Sequence, residues 1–349
     1  MIGKLILEDG SEFEGKSFGA NKNTAGEVVF STGMTGYPES LTDPSYQGQI
    51  LILTYPIIGN YGVPDKKFWE SSGIKVSGFI VSNYTDTPSH FQNKQTLSQW
   101  LKKENIPALE IADTRFLTQK IRVKGTMLGK IIFKKDIEFY NPDRENLVAQ
   151  VSTKKIIEQG TGKKKILLID CGAKQNIVRC LLKRNIKVIT VPWNFDPTLS
   201  SHLPGGNSSF DGIVISNGPG DPKKAGKTIL NIKNALDKKI PILGVCLGNQ
   251  ILALAAGGDT KKLKFGHRSQ NQPCLLEGSE RCYITTQNHG FAVNKIPKGF
   301  SPWFTNANDG TNEGIIHKKL PFMSVQFHPE ASPGPTDTEW IFDYFLRNL

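Results

Sequence analysis

The 349-residue chain has no apolar run near the roughly 18 residues that a membrane-crossing helix requires. The longest candidate, residues 50–58, is broken by Thr54 and Pro56. Nothing in the sequence predicts a membrane partner. Cysteine is scarce, with five residues (Cys171, Cys180, Cys246, Cys274 and Cys282) at irregular spacing and no CxxC pair. An odd, scattered set argues against a disulfide framework and against a thiolate zinc site, so no metal is expected and a reducing compartment is. Residues 1–7 run straight into Glu8-Asp9-Gly10. That predicts a strand and a tight turn, not an apolar signal core with a cleavage site. The expected location is the cytoplasm, or the plastid stroma if the gene is organellar. Lys-, Asn- and Ile-rich usage fits either.

Nucleotide fingerprints are also missing. There is no GxGxxG. Gly162-Lys163 lacks the glycine five places earlier and the Ser/Thr after the lysine, and it precedes a strand where a phosphate loop would follow one. The net charge of +11 raises the question of nucleic acid. The lysines, however, fall in short clusters beside loops, such as Lys163 to Lys165, Lys223-Lys224 and Lys261-Lys262. Without interleaved aromatics this is a solvated surface, and no nucleic-acid partner is expected.

What is present is globular composition, 38% hydrophobic and 21% charged, at a length that predicts two domains. Residues 1–135 carry short strand patterns at 4–7 and 11–14, joined by Glu8-Asp9-Gly10, and at 27–31, 49–55 and 78–81. Helical spacing appears at 96–103 and after the candidate N-cap Asp113, with Phe116, Leu117 and Ile121 on one face. This half is predicted to be a β-rich α+β domain. Residues 136–164, polar and Gly/Lys-rich towards the end, are expected to be the connection. From 165 to 349 the pattern is α/β. Strands at 166–170, 188–191, 212–216 and 240–245 alternate with helices at 175–184, 227–238 and 247–256. Continuous apolar strands between helices predict a doubly wound, mostly parallel sheet. Strands at 283–286, 302–306, 314–317 and 322–327 and a closing helix at 338–346 complete it, with no internal repeat.

The sharpest chemical signal is Gly244-Val245-Cys246-Leu247-Gly248, where a buried strand meets a helix. This is the nucleophile-elbow pattern with Cys in place of Ser. The glycines suit a strained turn with close backbone approach. The helix N-terminus favours the reactive thiolate, and the next backbone N–H is free to hold an oxyanion. A cysteine at a strand end is ordinarily just a buried apolar residue. Cys171, which lacks the first glycine, keeps that reading, as do Cys180, Cys274 and Cys282. A thiol nucleophile needs a base and the base an orienting group. Gln326-Phe327-His328-Pro329-Glu330 offers both, since His328 and Glu330 point the same way on an extended chain. His90, His202, His267 and His317 have no partner at a telling spacing. Two further loops, Asn217-Gly218-Pro219-Gly220-Asp221-Pro222 and Gln287-Asn288-His289-Gly290-Phe291, each read alone as a turn after a strand.

Taken together, the elbow, the Asn217–Pro222 loop and His328-Pro329-Glu330 resemble a class I (triad) glutamine amidotransferase. Gln287-Asn288-His289-Gly290-Phe291-Ala292-Val293 and the run from Phe327 through Ala331-Ser332-Pro333-Gly334-Pro335 narrow the likeness to the carbamoyl phosphate synthase small chain. So do Met34-Thr35-Gly36-Tyr37, Leu41-Thr42-Asp43-Pro44-Ser45-Tyr46, Leu53-Thr54-Tyr55-Pro56 and Ala112-Asp113-Thr114-Arg115 in the first half. The resemblance covers nearly the whole chain. It implies a triad of Cys246, His328 and Glu330. It implies that Ser45, Gly218, Gly220, Leu247, Gln250, Asn288, Gly290 and Phe291 hold L-glutamine, with the N–H groups of Leu247 and Gly220 as oxyanion donors. It also implies a large ATP-dependent chain as partner, in a heterodimer or higher oligomer. That chain would carry ATP and magnesium, while this one needs no cofactor; ammonia would pass to it for carbamoyl phosphate synthesis, which feeds pyrimidine and arginine biosynthesis. The first half would be the docking surface. Asn249 departs from the histidine common at that position. Two rival readings are a catalytically silent regulatory module and the glutaminase of another amidotransferase pathway.

Overall fold

A computed structural model describes residues 1–199 and 209–349. The chain divides into two compact units, Met1–Glu145 and Asn146–Leu349. His202 lies outside the described residues.

The first unit runs β1 (Ile2–Leu7), β2 (Glu12–Ser17), β3 (Thr24–Ser31), α1 (Tyr37–Thr42), β4 (Gln49–Leu53), β5 (Gly78–Val81), α2 (Leu97–Lys103), β6 (Ala108–Glu110), α3 (Thr114–Lys124) and β7 (Met127–Ile132). Its seven strands close a barrel in the order β1-β2-β6-β5-β4-β3-β7. Strands β3 to β6 are parallel neighbours. Both of their faces are buried, which is why they are continuous apolar runs. Val29, Leu51 and Phe79 pack on one side with Leu97, Trp100 and Leu101 of α2. Their alternates Val28, Ile50 and Ile80 are equally buried on the other. Helix α2 begins with a full capping box between Thr96 and Gln99. Asp113 caps α3 as its position predicts, accepting from the Phe116 N–H. Phe116 itself is not on the buried face. That face is Thr114, Leu117 and Ile121, while Phe116, one residue off the i, i+3, i+7 stripe, is half exposed.

The second unit starts earlier than its strand rhythm suggests. Residues 136–164 are divided between the units. Helix α4 (Leu147–Val151) puts Leu147 and Val148 into buried positions, and β8 (Ile157–Gln159) pairs antiparallel with the sheet edge. Polar composition concealed β8, because an edge strand needs no buried face. Then follow β9 (Lys165–Asp170), α5 (Gln175–Lys183), β10 (Lys187–Pro192), β11 (Gly212–Ile215), α6 (Gly226–Asp237), β12 (Ile242–Val245), α7 (Leu247–Ala255), β13 (Asp259–Leu276), β14 (Cys282–Lys295), β15 (Phe300–Asn306), β16 (Asn312–His317), β17 (Phe322–Val325) and α8 (Trp340–Arg347). They form one ten-stranded sheet, β14-β13-β15-β16-β17-β12-β11-β9-β10-β8. The centre, β10-β9-β11-β12-β17, is parallel. Apolar clusters cover both faces, one containing Leu167, Ile213 and Ile251, the other Leu168, Val214 and Phe345. The class is therefore α/β with a central parallel sheet, preceded by a β-rich unit.

The largest difference from expectation is β13, 18 residues long and too polar for a strand pattern. It pairs with β14 through register shifts between Lys262 and His267 and between Ser269 and Gln272. Gln287–Phe291, which alone reads as a turn, is the middle of β14. Its buried polar side chains are satisfied by other polar groups, so hydrophobic alternation is absent.

Candidate active site

Because β9, β11, β12 and β17 are parallel, the segments leaving their C-terminal ends emerge at one edge. This is where such sheets place ligands. Those segments contain Lys174, Gly218, Cys246 and His328.

Cys246 follows β12 and occupies the N-cap of α7 at φ 53°, a left-handed conformation costly for a residue with a side chain. Both flanking glycines are sterically required. A Cβ on Gly244 would stand 2.4 Å from the Gly248 carbonyl oxygen, and one on Gly248 2.2 Å from that of Ile215. The thiol is buried. Its Sγ lies 3.7 Å from the Asn288 carbonyl and 3.7 Å from Gln326 Nε2, which donates to it. The Leu247 N–H is the first of the helix and has no intrahelical acceptor.

His328 donates from Nδ1 to Glu330 Oε1 at 2.7 Å, which leaves Nε2 as the proton-accepting nitrogen. Nε2 is buried and makes no hydrogen bond among the described residues. The Thr286 carbonyl receives the His328 N–H at 2.9 Å, joining this segment to β14. Burial opposes a charge on His328, but Glu330 and the Cys246 sulfur outweigh it and push its pKa up. Burial also opposes the Glu330 carboxylate. Lys174 and His328 overcome that and hold it below the usual carboxylate range.

Lys174 is the residue that sequence reasoning missed. It is 2% exposed, and its Nζ lies 3.2 Å from Glu330 Oε1, the oxygen that also receives His328. It donates to the Ala331 carbonyl as well. Its backbone N–H is held by Asn217 Oδ1 at 2.9 Å, so the Asn217–Pro222 loop helps position it. The available signal was a charged residue at a parallel strand's C-terminal end just before a helix.

The other expected positions divide clearly. Gly218 has no room for a Cβ, which would meet the Cys171 carbonyl oxygen at 2.1 Å, and Gly220 has φ +82°. Gln250 Nε2 donates to the Phe291 carbonyl at 2.7 Å and to Gln326 Oε1 at 3.1 Å. Thus Gln250, Asn288 and Phe291 join the surroundings of the elbow, and Gly290 lies between the last two. Asn249 faces away, satisfied by Ser324 Oγ at 2.8 Å and Gln326 Oε1 at 3.2 Å. Ser45 belongs to the first unit, buried in a 3₁₀ turn whose cap, Asp43, accepts its N–H at 2.9 Å.

A strained cysteine elbow with a buried histidine–carboxylate pair at a parallel sheet edge is the arrangement of enzymes that use a thiol nucleophile. Residues 167–348 match the family Glutamine amidotransferase class-I, and the chain belongs to that family. Residues 5–131 match Carbamoyl-phosphate synthase small chain, CPSase domain, so the two units carry the two parts of that small chain. Among curated relatives, Multifunctional protein CAD of Squalus acanthias is 48% identical over 98% of this chain and 16% of its own length. Multifunctional protein URA2 of Saccharomyces cerevisiae is 46% identical over 98% and 17%. The mitochondrial carbamoyl-phosphate synthase [ammonia] of Mus musculus is 48% identical over 98% and 23%. The chain thus spans about a sixth to a quarter of the length of these relatives.

Proposed function

We propose that this chain is the glutaminase subunit of a glutamine-dependent carbamoyl phosphate synthase. The observation that carries the reading is the thiol on the strained elbow beside a buried imidazole that Glu330 orients. In the proposed reaction the Cys246 thiolate attacks the side-chain carboxamide carbon of L-glutamine. The N–H groups of Leu247 and Gly220 hold the tetrahedral oxyanion, each such donor being worth about 3–4 kcal/mol. His328 Nε2 carries the proton to departing ammonia. A glutamyl thioester remains, and His328 then takes a proton from the attacking water, releasing glutamate and regenerating the thiol. Glu330 keeps the proton on Nδ1 throughout. Gly218, Gln250, Asn288, Gly290 and Phe291 are proposed to contact glutamine.

The partner is proposed to be the large synthase chain. It would hold ATP and magnesium and receive the ammonia, with the first unit as docking surface. Relatives that continue far beyond the matched region support a partnership with such a chain.

A silent regulatory module is the second reading. One relative's name specifies ammonia, so likeness to these proteins does not by itself select a working nucleophile. The Cys246 thiol on its strained elbow and the hydrogen bond from His328 to Glu330 favour activity. Glutamate release from L-glutamine by wild type and Cys246→Ser, with and without a large chain, tests the proposal. Turnover that rises with the large chain and vanishes in the variant supports it. Equal rates in variant and wild type overturn it in favour of the silent module.

A further inference from the structure

Behind the strand that carries Asn288 lies a polar cluster that the proposed chemistry does not use. His267 of β13 is paired in register with His289 of β14, their rings perpendicular with centroids 5.0 Å apart. Glu313 of β16 closes the group. All three are buried, and one ligand-type atom from each lies within 4.8 Å of the others.

The proton arrangement is unusual. The outer nitrogen of each ring faces an oxygen acceptor: His267 Nε2 is 3.0 Å from Asp309 Oδ2, and His289 Nδ1 is 2.8 Å from the Phe291 carbonyl. Each outer nitrogen therefore carries a proton. The inner nitrogens also face oxygen. His267 Nδ1 is 2.9 Å from Gln287 Oε1 and 3.2 Å from Glu313 Oε1, and His289 Nε2 is 3.0 Å from the same Gln287 oxygen. The Gln287 amide is also held at its other end. Its Nε2 donates to Cys274 Sγ at 3.3 Å and to Thr285 Oγ1 at 3.2 Å, and the Thr285 hydroxyl proton is already committed to the Gln272 carbonyl. Glu313 adds a second, independent sign. It is fully buried, and its Oε2 has no hydrogen-bond partner among the described residues.

We propose that His267 Nδ1, His289 Nε2, Gln287 Oε1 and a Glu313 carboxylate oxygen bind one divalent transition-metal ion, zinc foremost. Two imidazoles, a carboxylate and an amide oxygen form a borderline donor set that suits zinc better than magnesium or calcium. Tetrahedral zinc with bonds of about 2.0–2.1 Å places its donors roughly 3.3 Å apart. Three of the donor separations, 2.9, 3.0 and 3.2 Å, need to open by only a few tenths of an ångström, and the His267, His289 and Glu313 donor atoms all lie within 4.8 Å of one another. The outer contacts to Asp309 and to the Phe291 carbonyl are what metal-bound imidazoles ordinarily make. The ion's two charges are balanced by Glu313 and Asp309. The site would clamp β13, β14 and β16 behind residues 287–291. No cysteine takes part, so cysteine spacing could not reveal it.

The test is cobalt and zinc binding to the full chain carrying Cys246→Ala, so that the elbow thiol cannot act as a ligand. Metal content after equilibrium dialysis and the visible spectrum of the cobalt form are read. The expected result is one metal per chain with tetrahedral cobalt absorption. Glu313→Gln, which preserves shape, should weaken binding at least tenfold, and His267→Asn/His289→Asn should abolish it. Circular dichroism identifies any variant that fails to fold, and Glu313→Gln then decides alone. Equal metal content and an unchanged cobalt spectrum in Glu313→Gln would overturn the proposal and leave a hydrogen-bonded imidazolium cluster.

Discussion

Lys174 and His328 converge on a single oxygen, Oε1 of Glu330, at 3.2 and 2.7 Å. The carboxylate orients the imidazole, and the ammonium neutralises the carboxylate where all three side chains are buried. Breaking a buried pair by removing one member costs about 3–5 kcal/mol, because the other charge stays buried.

Lys174→Met should therefore lower stability by an amount near that range, and Lys174→Arg by less. The pH profile separates positioning from mere structure. Lys174 helps hold the Glu330 pKa down and also lowers that of His328. Its loss raises both, so each group protonates at higher pH as the solution is acidified. The acid limb of glutaminase kcat/KM should shift to higher pH in Lys174→Met. An unshifted limb with reduced amplitude would show that Lys174 acts only on the fold.

The glycines of the elbow predict a sharp contrast. The 2.2 Å approach expected of a Cβ at Gly248 is to the backbone of β11, which cannot yield. Gly248→Ala should cost at least ~2 kcal/mol and lower Tm by roughly 4–8 °C. Gly226→Ala, at the start of α6 with open space around it, should be neutral or stabilising by up to about 1 kcal/mol. Thermal melting of both variants checks this. Similar Tm values would refute the steric account of the elbow.

Much of this was legible because the motifs are local. Gly244 to Gly248 fixes a strand–turn–helix by its own sterics, and His328 and Glu330 are two residues apart. Lys174 was hidden because its significance depends on the segment after β9 meeting the segment after β17 in space, which spacing along the chain does not encode. The run 259–276 was hidden for a different reason. Its buried side chains are His267, Arg268 and Ser269, so the strand is held by polar pairing and shows no apolar alternation. Phe116 failed for the simplest reason, since one residue of rotation takes a helical side chain off the buried stripe.

Asn249 gives a third prediction. It is fully buried between Ser324 and Gln326, and Gln326 in turn donates to the Cys246 sulfur. Asn249→Ala removes the acceptor of the Ser324 hydroxyl and leaves Gln326 Oε1 with Gln250 alone, a loss of about 1–3 kcal/mol. It also frees the Gln326 side chain to turn. Stability should fall, and the alkylation rate of Cys246 should change with it. An unchanged alkylation rate would show that Gln326 is held by Gln250 alone.

The last prediction concerns α8 and acid. Arg184 donates to Asp343 at 2.9 and 2.7 Å, to Glu339 Oε1 at 3.0 Å, and to the Cys180 carbonyl, fastening α8 to α5. The Arg184 hydrogen bonds hold the Asp343 pKa below its ordinary value, although partial burial works against the charge. A carboxylate depressed in the folded state stabilises above its unfolded pKa and loses that contribution as pH falls through the folded one. The stabilisation should thus be complete at neutral pH and fade below about pH 4. Asp343 is 41% exposed on its side chain, so screening limits the pair to about 1 kcal/mol. Arg184→Ala should lose that amount at pH 7, plus the contact of its guanidinium with the Phe342 ring, and the difference from wild type should shrink on acidification. Urea melts of both proteins from pH 7 to pH 3 decide it. A difference that stays constant across the range would assign the role of Arg184 to packing rather than charge.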